Sequence, residues 1–326
     1  MHAPDGFLTA GTAMATGAIS VGTVTIALKQ AKEQMTEKMV PLAGIAAAFV
    51  FAAQMFNFPV AAGTTGHLLG GALAAILLGP HVGALVVTVV VVVQALAFAD
   101  GGLTALGYNV LNMAIIPAYG GYAAYSGFRR ILPQGRRGVV AATGLAAGVS
   151  VIFSAAAFSI QWLFGATAPV PFDTVFGAMV GVHTMIGIGE GVISALTVGA
   201  VLSARPDLVF GASDLDRAQL EESDRAPLRV FVIASVLVTM LLATVVSQFA
   251  VDDPDGLEAV AEDTGFISSG QEHGLTDSIF ADYATTGINN EGLSLAIAGA
   301  AGTIITLAVG YGLFKALRPR GKVLGH

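Results

Sequence analysis

The chain opens Met1-His2-Ala3-Pro4-Asp5-Gly6, and these first atoms carry the most distinctive chemistry in the sequence. A free α-amino group, the backbone nitrogen of residue 2 and the His2 ring can form fused chelate rings around one cation. One further imidazole completes four nitrogens: His67, in Gly63-Thr64-Thr65-Gly66-His67-Leu68-Leu69-Gly70-Gly71. A planar four-nitrogen set suits Ni(II) or Cu(II), and nitrogen donors rank Ni above Co in affinity. Displacing an amide proton takes a strongly Lewis-acidic metal, which disfavours Mg and Ca. Binding then releases protons and weakens at low pH. The amine must come from Met1, which is expected to stay because the bulky His2 hinders removal of the initiator. The start of the chain lacks a basic n-region and does not read as a signal peptide.

Each histidine also has a plainer reading. His67 among glycines fits a packed helix pair with one hydrogen-bonded imidazole. His2, before the turn signal Pro4-Asp5-Gly6, fits a solvated, frayed end. A metal site needs outer groups that orient its imidazoles, and Asp5, Thr64 and Thr65 are the nearest in sequence. His183 and Glu190, seven residues apart, fall on one helical face. They read as outer support for the site, a metal relay, part of a partner-coupling surface or a polar stripe between helices. Gln94, Asp100, Asn109 and Asn112 cluster around Asp100-Gly101-Gly102, where capping and interhelical hydrogen bonds explain them as well as a site does. His81, His273 and His326 are not expected to be ligands.

The elements that must position these groups are apolar. Of 326 residues, 55% are hydrophobic and 11% charged, with 41 Gly and a mean hydropathy of +0.76. That is under half the charge of an ordinary soluble domain, about 25%, and it points to an all-α polytopic membrane protein. There is no cysteine, so disulfides, thiolate metal sites and Cys nucleophiles are excluded. The net charge of −7 argues against a nucleic-acid partner. No GxxxxGK[ST] loop occurs, so the chain has no such ATP site of its own.

A bilayer core needs about 20 apolar residues as helix. Nine runs qualify, near 7–28, 40–57, 62–79, 82–98, 103–126, 138–164, 173–203, 229–250 and 292–316. With nine spans, all 15 basic residues fall on one side: Lys29, Lys32, Lys38; Arg129, Arg130, Arg136, Arg137; Arg205, Arg217, Arg225, Arg229; Lys315, Arg318, Arg320, Lys322. That side is the expected cytoplasm, with the N-terminus outside and the C-terminus inside. Residues 205–228 carry both signs of charge and read as a cytoplasmic linker. Residues 251–291 have no Lys or Arg and read as an external loop. The linker separates a seven-span module, 1–204, from a two-span hairpin, 229–326.

Four stretches together resemble the CbiM/NikM family: Met1-His2-x-Pro4-Asp5-Gly6-Phe7-Leu8, Gly63–Gly71, Gln94 through Asp100-Gly101-Gly102 to Asn112-Met113, and Val182-His183 to Gly189-Glu190. These are the substrate-binding (S) components of energy-coupling factor transporters for cobalt and nickel. The likeness covers about 1–205. The remainder resembles the CbiN/NikN accessory, or PDGLE domain, through Pro254-Asp255-Gly256-Leu257-Glu258, Ala261-Glu262-Asp263-x-Gly265-Phe266 and Ala281-Asp282-Tyr283. Ile279-Phe280 departs from the Ser-Pro pair usual before that last motif.

The resemblance implies a near-planar site for Ni(II) or Co(II) as transported substrate. Its donors would be the Met1 amine, the His2 backbone nitrogen and ring, and His67. The amino terminus would dip into the bundle from outside, and the hairpin's outer loop would assist metal loading. Energy would come from separate ATPase (A) subunits through a transmembrane coupling (T) subunit in the cell membrane. Small-residue faces such as Gly177-xxx-Gly181 or Ala18-xxx-Gly22 would suit that contact or ordinary helix packing.

Two other function classes compete. An intramembrane metal-dependent hydrolase would use His183 and Glu190, but no HExxH signature is present. A stand-alone secondary transporter would show repeats and charged relays, and only Glu190 offers one. The ligand set leans toward Ni over Co without separating them.

Overall fold

The computed structural model describes residues 1–61, 63–213, 215 and 226–319. In chain order its elements are α1 (Ala10–Gln34), α2 (Met39–Gln54), a hairpin of β1 (Phe58–Ala61) and β2 (Thr64–Gly66), α3 (Gly71–Leu78) and α4 (Pro80–Ala97). Then come α5 (Leu106–Asn109), a π-helical turn (Val110–Ile115) and α6 (Ile116–Ile131), followed by α7 (Arg136–Gly165), α8 (Phe172–Ala204), α9 (Leu228–Thr244), α10 (Gly256–Thr264) and α11 (Glu291–Leu317). Among the described residues, six helices are long and apolar enough to cross a membrane: α1, α4, α7, α8, α9 with its extension to Phe249, and α11. The apolar α2 is shorter, at 16 residues. The run expected at 103–126 is helical from Leu106 to Ile131 but is widened by the π turn just before Pro117. Proline lacks the N–H and crowds the preceding turn, which loosens the helical ladder there.

The run expected at 62–79 is not one helix. It folds as the β-hairpin, an irregular stretch at residues 67–70 and the eight-residue α3. Gly63 and Gly70 take left-handed backbone, with φ of 74° and 78°, which halts a helix and which glycine adopts freely. At about 1.5 Å per residue, α3 alone is too short to cross a bilayer. Irregular backbone at membrane depth must be buried in protein, and residues 64–76 are buried throughout. Residues 214 and 216–225 of the 205–228 linker and the tail from residue 320, including Arg217, Arg225, Arg320, Lys322 and His326, lie outside the described residues.

Small residues set the helix spacing. Gly144-xxx-Gly148 on α7 faces Gly187-xxx-Gly191 on α8. A Cβ on Gly187 would sit 2.7 Å from the Gly148 carbonyl oxygen, and one on Gly191 2.6 Å from that of Gly144. This is the close backbone approach that small-xxx-small faces allow in lipid. It fixes α8, the helix that carries His183 and Glu190. The C-terminal hairpin docks through α11 on α2 and α4, and α10 packs on α8 and β2. The segment after α9 therefore lies against the first module.

Candidate metal centre

The first nine residues are not frayed. They turn at Gly6 and are pinned at almost every step. Ala3 donates its N–H to Asn109 Oδ1 at 3.0 Å and accepts from Asn109 Nδ2 at 3.0 Å. The Gly102 N–H also bonds the Ala3 carbonyl, at 3.0 Å. The Asp5 carboxylate accepts from the Leu103, Thr104 and Ala105 N–H groups and the Thr104 hydroxyl, at 2.6–3.1 Å. Asp5 crowds Gly102 so closely that a Cβ on that glycine would strike it. Tyr108 donates to the Pro4 carbonyl at 3.0 Å. These bonds place Met1 inside the protein, at 5% exposure.

The Met1 nitrogen lies 2.9 Å from Nε2 of His67. His67 is 6% exposed, and its Nδ1 donates to the Leu68 carbonyl at 3.1 Å. The proton is thus on Nδ1, and the Nε2 lone pair faces the amine. The His2 and His67 rings stack, with centroids 5.3 Å apart and planes 27° from parallel. His2 sits between Gln94, whose Oε1 is 3.0 Å from Nε2, and Asp100, whose Oδ1 is 3.3 Å from Nδ1. The His2 backbone N–H takes no hydrogen-bond partner among the described residues, although the Ala3 N–H beside it does.

The second module supplies three side chains to this neighbourhood. Asp255 pairs with the Met1 amine and stands 3.7 Å from His67 Nε2. Its other oxygen caps α10 by accepting from the Leu257 and Glu258 N–H groups at 2.8 and 3.0 Å. Burial alone would raise the Asp255 carboxyl. The charged amine beside it outweighs that and holds it well below the usual range. Tyr283 donates to Asp100 Oδ2 at 2.6 Å and accepts from Gln94 Nε2 at 3.0 Å. Burial and the Asp100 charge push its phenol well above its ordinary value. Phe266 packs between Phe7 and Trp162, with ring centroids 5.1 and 4.4 Å away.

The residues expected to support the site divide. Asp5 anchors the N-terminal segment. Thr65 ties β2 to the second module, donating its N–H to the Pro254 carbonyl at 2.9 Å and its hydroxyl to that of Asp253 at 2.8 Å. Thr64 pairs with Ala61 in the hairpin. Glu190, 0% exposed, accepts from the Leu69 and Gly70 N–H groups at 2.6 and 2.9 Å and so clamps the stretch that presents His67. With both oxygens committed to backbone, Glu190 is poorly placed to act as a hydrolase base. His183 donates from Nδ1 to the Met179 carbonyl at 2.8 Å. Its Nε2 is buried without a hydrogen-bond partner among the described residues. It abuts Gly256, where an added Cβ would lie 3.1 Å from Nε2. Sequence reasoning missed Asp255 and Tyr283 as site residues. Their signals were an acidic N-cap and a tyrosine in a loop with no basic residue.

No cluster of three or more His, Cys, Asp or Glu that could hold a metal occurs among the described residues. A set made of two imidazoles and two main-chain nitrogens is a different kind of site. It opens into a cleft of about 960 Å³ rimmed by Asp100, Asp252, Asp253, Glu258, Asp282 and Glu291, a surround that attracts cations.

Residues 2–208 match the family described as cobalt uptake substrate-specific transmembrane region, and residues 229–319 match the PDGLE domain. A protein of Archaeoglobus fulgidus with the provisional name fused nickel transport protein NikMN is 35% identical over 98% of this chain and 99% of its own length. A cobalt transport protein CbiM of Geobacter sulfurreducens is 31% identical over 64% of this chain and 61% of its own. A crystal structure described as a truncated transition metal transporter is 33% identical, with a TM-score of 0.55, covering 62% of this chain and 98% of that one. The chain belongs to the cobalt uptake substrate-specific transmembrane family, fused to a PDGLE domain, and is a multi-pass membrane protein of the nickel and cobalt transport group.

Proposed function

We propose that this member of the family captures Ni(II) or Co(II) from outside the cell, as the substrate-specific subunit of an energy-coupling factor importer. The donors are the Met1 amine, the His2 backbone nitrogen, His2 Nδ1 and His67 Nε2. The observation that carries this reading is the 2.9 Å separation of the Met1 and His67 nitrogens. In a square-planar site with metal–nitrogen bonds of about 2.0 Å, as for zinc-bound imidazole, neighbouring donors sit about 2.8 Å apart. The two nitrogens already stand at that spacing, and the unpartnered His2 amide lies next along the chain.

The chain crosses the membrane nine times in this proposal, with the N-terminus outside, the C-terminus inside, and the hairpin with α3 serving as the third crossing. Residues 1–204 form the metal-binding module, 205–228 a cytoplasmic linker and 229–326 the accessory hairpin, whose outer loop aids loading through Asp255. Partner ATPase subunits supply the energy through a coupling subunit. Gly177 and Gly181 on α8, with nothing within 4 Å of an added Cβ, leave a surface for that contact.

The test is Ni(II) and Co(II) binding by the purified full chain, together with uptake in cells with and without the ATPase partners. Binding that vanishes in His2→Ala and His67→Ala, and uptake that requires the ATPases, are the expected results. Uptake undiminished without them would point to a gradient-driven transporter instead.

A further inference from the structure

Tyr283 lies in the second module, yet its hydroxyl stands in a hydrogen-bond network that reaches His2. We propose that Tyr283 is a positioning residue for metal capture: by fixing which way the Gln94 amide faces, it holds His2 in the tautomer that leaves Nδ1 bare. The inference rests on the four-nitrogen site proposed above.

The polarity of the network is set from Asp100. Its Oδ2 lies 2.6 Å from the Tyr283 hydroxyl, and an ionised carboxylate only accepts. The phenol therefore gives its one proton to Asp100, and its oxygen is left as an acceptor. The Gln94 amide lies 3.0 Å from that oxygen. Turning its carbonyl that way would set two acceptors face to face, so its NH₂ faces Tyr283. The amide then presents Oε1 to His2, 3.0 Å from Nε2. Only a protonated Nε2 can bond to it, and a neutral imidazole with its proton on Nε2 has its lone pair on Nδ1. Nδ1 is the nitrogen that closes a chelate ring with the His2 backbone nitrogen.

A rival arrangement is built into the same site. Asp100 Oδ1 stands 3.3 Å from His2 Nδ1 and on its own favours a proton there. Without the tyrosine hydroxyl, the Gln94 amide can turn over and offer its NH₂ to Nε2. Nδ1–H then donates to Asp100, and the chelating nitrogen is blocked. Tyr283 closes that route by engaging Asp100 and Gln94 together.

Its placement is held firmly. Asp282 and Tyr283 both take left-handed backbone, with φ of 51° and 57°, a conformation that non-glycine residues seldom adopt. The Asp282 N–H bonds the Phe98 carbonyl at 2.9 Å, and the Tyr283 ring stacks on Phe98 with centroids 5.1 Å apart.

The test uses the full chain with ring-¹⁵N-labelled histidine. NMR of the metal-free protein reads the tautomer, and the His2 signal is assigned by its loss in His2→Ala. Tyr283→Phe keeps the stacked ring and removes only the hydroxyl. Gln94→Met cuts the network at its middle and guards against a Tyr283 variant that does not fold. Both are expected to move His2 toward the Nδ1–H form and to weaken Ni(II) binding about tenfold or more, the usual scale for an outer-shell partner. Adding Gln94→Glu to Tyr283→Phe puts an acceptor-only group opposite Nε2 and restores the Nε2–H form, which a loss of packing would not do. Unchanged tautomer and Ni(II) affinity in Tyr283→Phe and Gln94→Met, with binding still abolished in His2→Ala, overturn the role of Tyr283 alone. Full Ni(II) binding in His2→Ala overturns the site reading and this inference with it.

Discussion

The Met1 nitrogen and His67 Nε2 meet at 2.9 Å across 66 residues of chain, and each points its chemistry at the other. The His67 lone pair faces the amine because Nδ1 is occupied by the Leu68 carbonyl. Removing either donor should therefore cost more than the roughly 10–100-fold lost with an outer-shell partner. His67→Ala and His2→Ala are expected to abolish Ni(II) binding, measured by calorimetry, while leaving the helical content intact. Extending the chain before Met1 moves the amine and should be equally damaging. Normal binding by an N-terminally extended protein would remove the amine from the ligand set.

Asp255 joins two tasks that substitution can separate. Asn is as good an N-cap as Asp, so Asp255→Asn should keep α10 while losing the carboxylate that pairs with the amine. The Met1 amine then becomes more reactive toward acylating reagents, read by mass spectrometry of the metal-free protein. Asp255→Ala loses the cap as well and should cost a further ~0.5–2 kcal/mol in thermal unfolding. Equal amine reactivity in wild type and Asp255→Asn would mean the pair does not shield the amine.

Glu190→Gln should loosen the His67 stretch. A glutamine can accept from one of the Leu69 and Gly70 N–H groups but turns an NH₂ toward the other. A buried donor left without an acceptor costs about 1–3 kcal/mol. A lower unfolding temperature together with weaker Ni(II) binding is expected. Weaker binding with no change in stability would place Glu190 on the metal path instead of in the scaffold.

Phe266→Ala empties the space between Phe7 and Trp162. A buried Phe→Ala change costs about 3–5 kcal/mol, and here the loss falls on the contact that covers the N-terminal segment. Faster amide exchange at residues 3–8 is the expected result. Exchange confined to the 251–291 loop would show that the N-terminal segment is held by its own bonds alone.

Metal binding should release protons and strengthen as pH rises, because a coordinating amine and amide must both be deprotonated. Calorimetry in buffers of different ionisation heat counts the protons. A count of zero between pH 6 and 8 would exclude the backbone nitrogen as a donor.

Much of this was legible in the sequence, because the chemistry sits in short runs. His2 behind a free amine suggests a chelate from sequence alone, and the fold brings His67, the imidazole among glycines, to 2.9 Å from that amine. Helix length and apolar content gave α1, α4, α7, α8, α9 and α11. The 62–79 run misled because its apolar count is that of a span, while Gly63 and Gly70 take left-handed backbone that only the folded context requires. Asp255 and Tyr283 were hidden for a different reason. They lie 188 and 216 residues beyond His67 in the chain, so no local pattern ties them to it, and an acidic loop reads the same whether it faces water or a neighbour. The spacing of His183 and Glu190 leaves a polar stripe and a functional role both open, and in the fold His183 packs against Gly256, where an added Cβ would lie 3.1 Å from its Nε2.

The seating of the first nine residues has a consequence for biogenesis. Asp255 and Phe266, which close over them, are translated some 250 residues later, about 10–50 s at ribosomal speeds of roughly 5–20 residues per second. The start of the nascent chain must wait through the insertion of almost every helix before its last contacts exist. Its bonds to residues 67–109 can form early, but a ribosome that stalls before residue 255 leaves behind a polypeptide whose Met1 amine lacks its Asp255 partner.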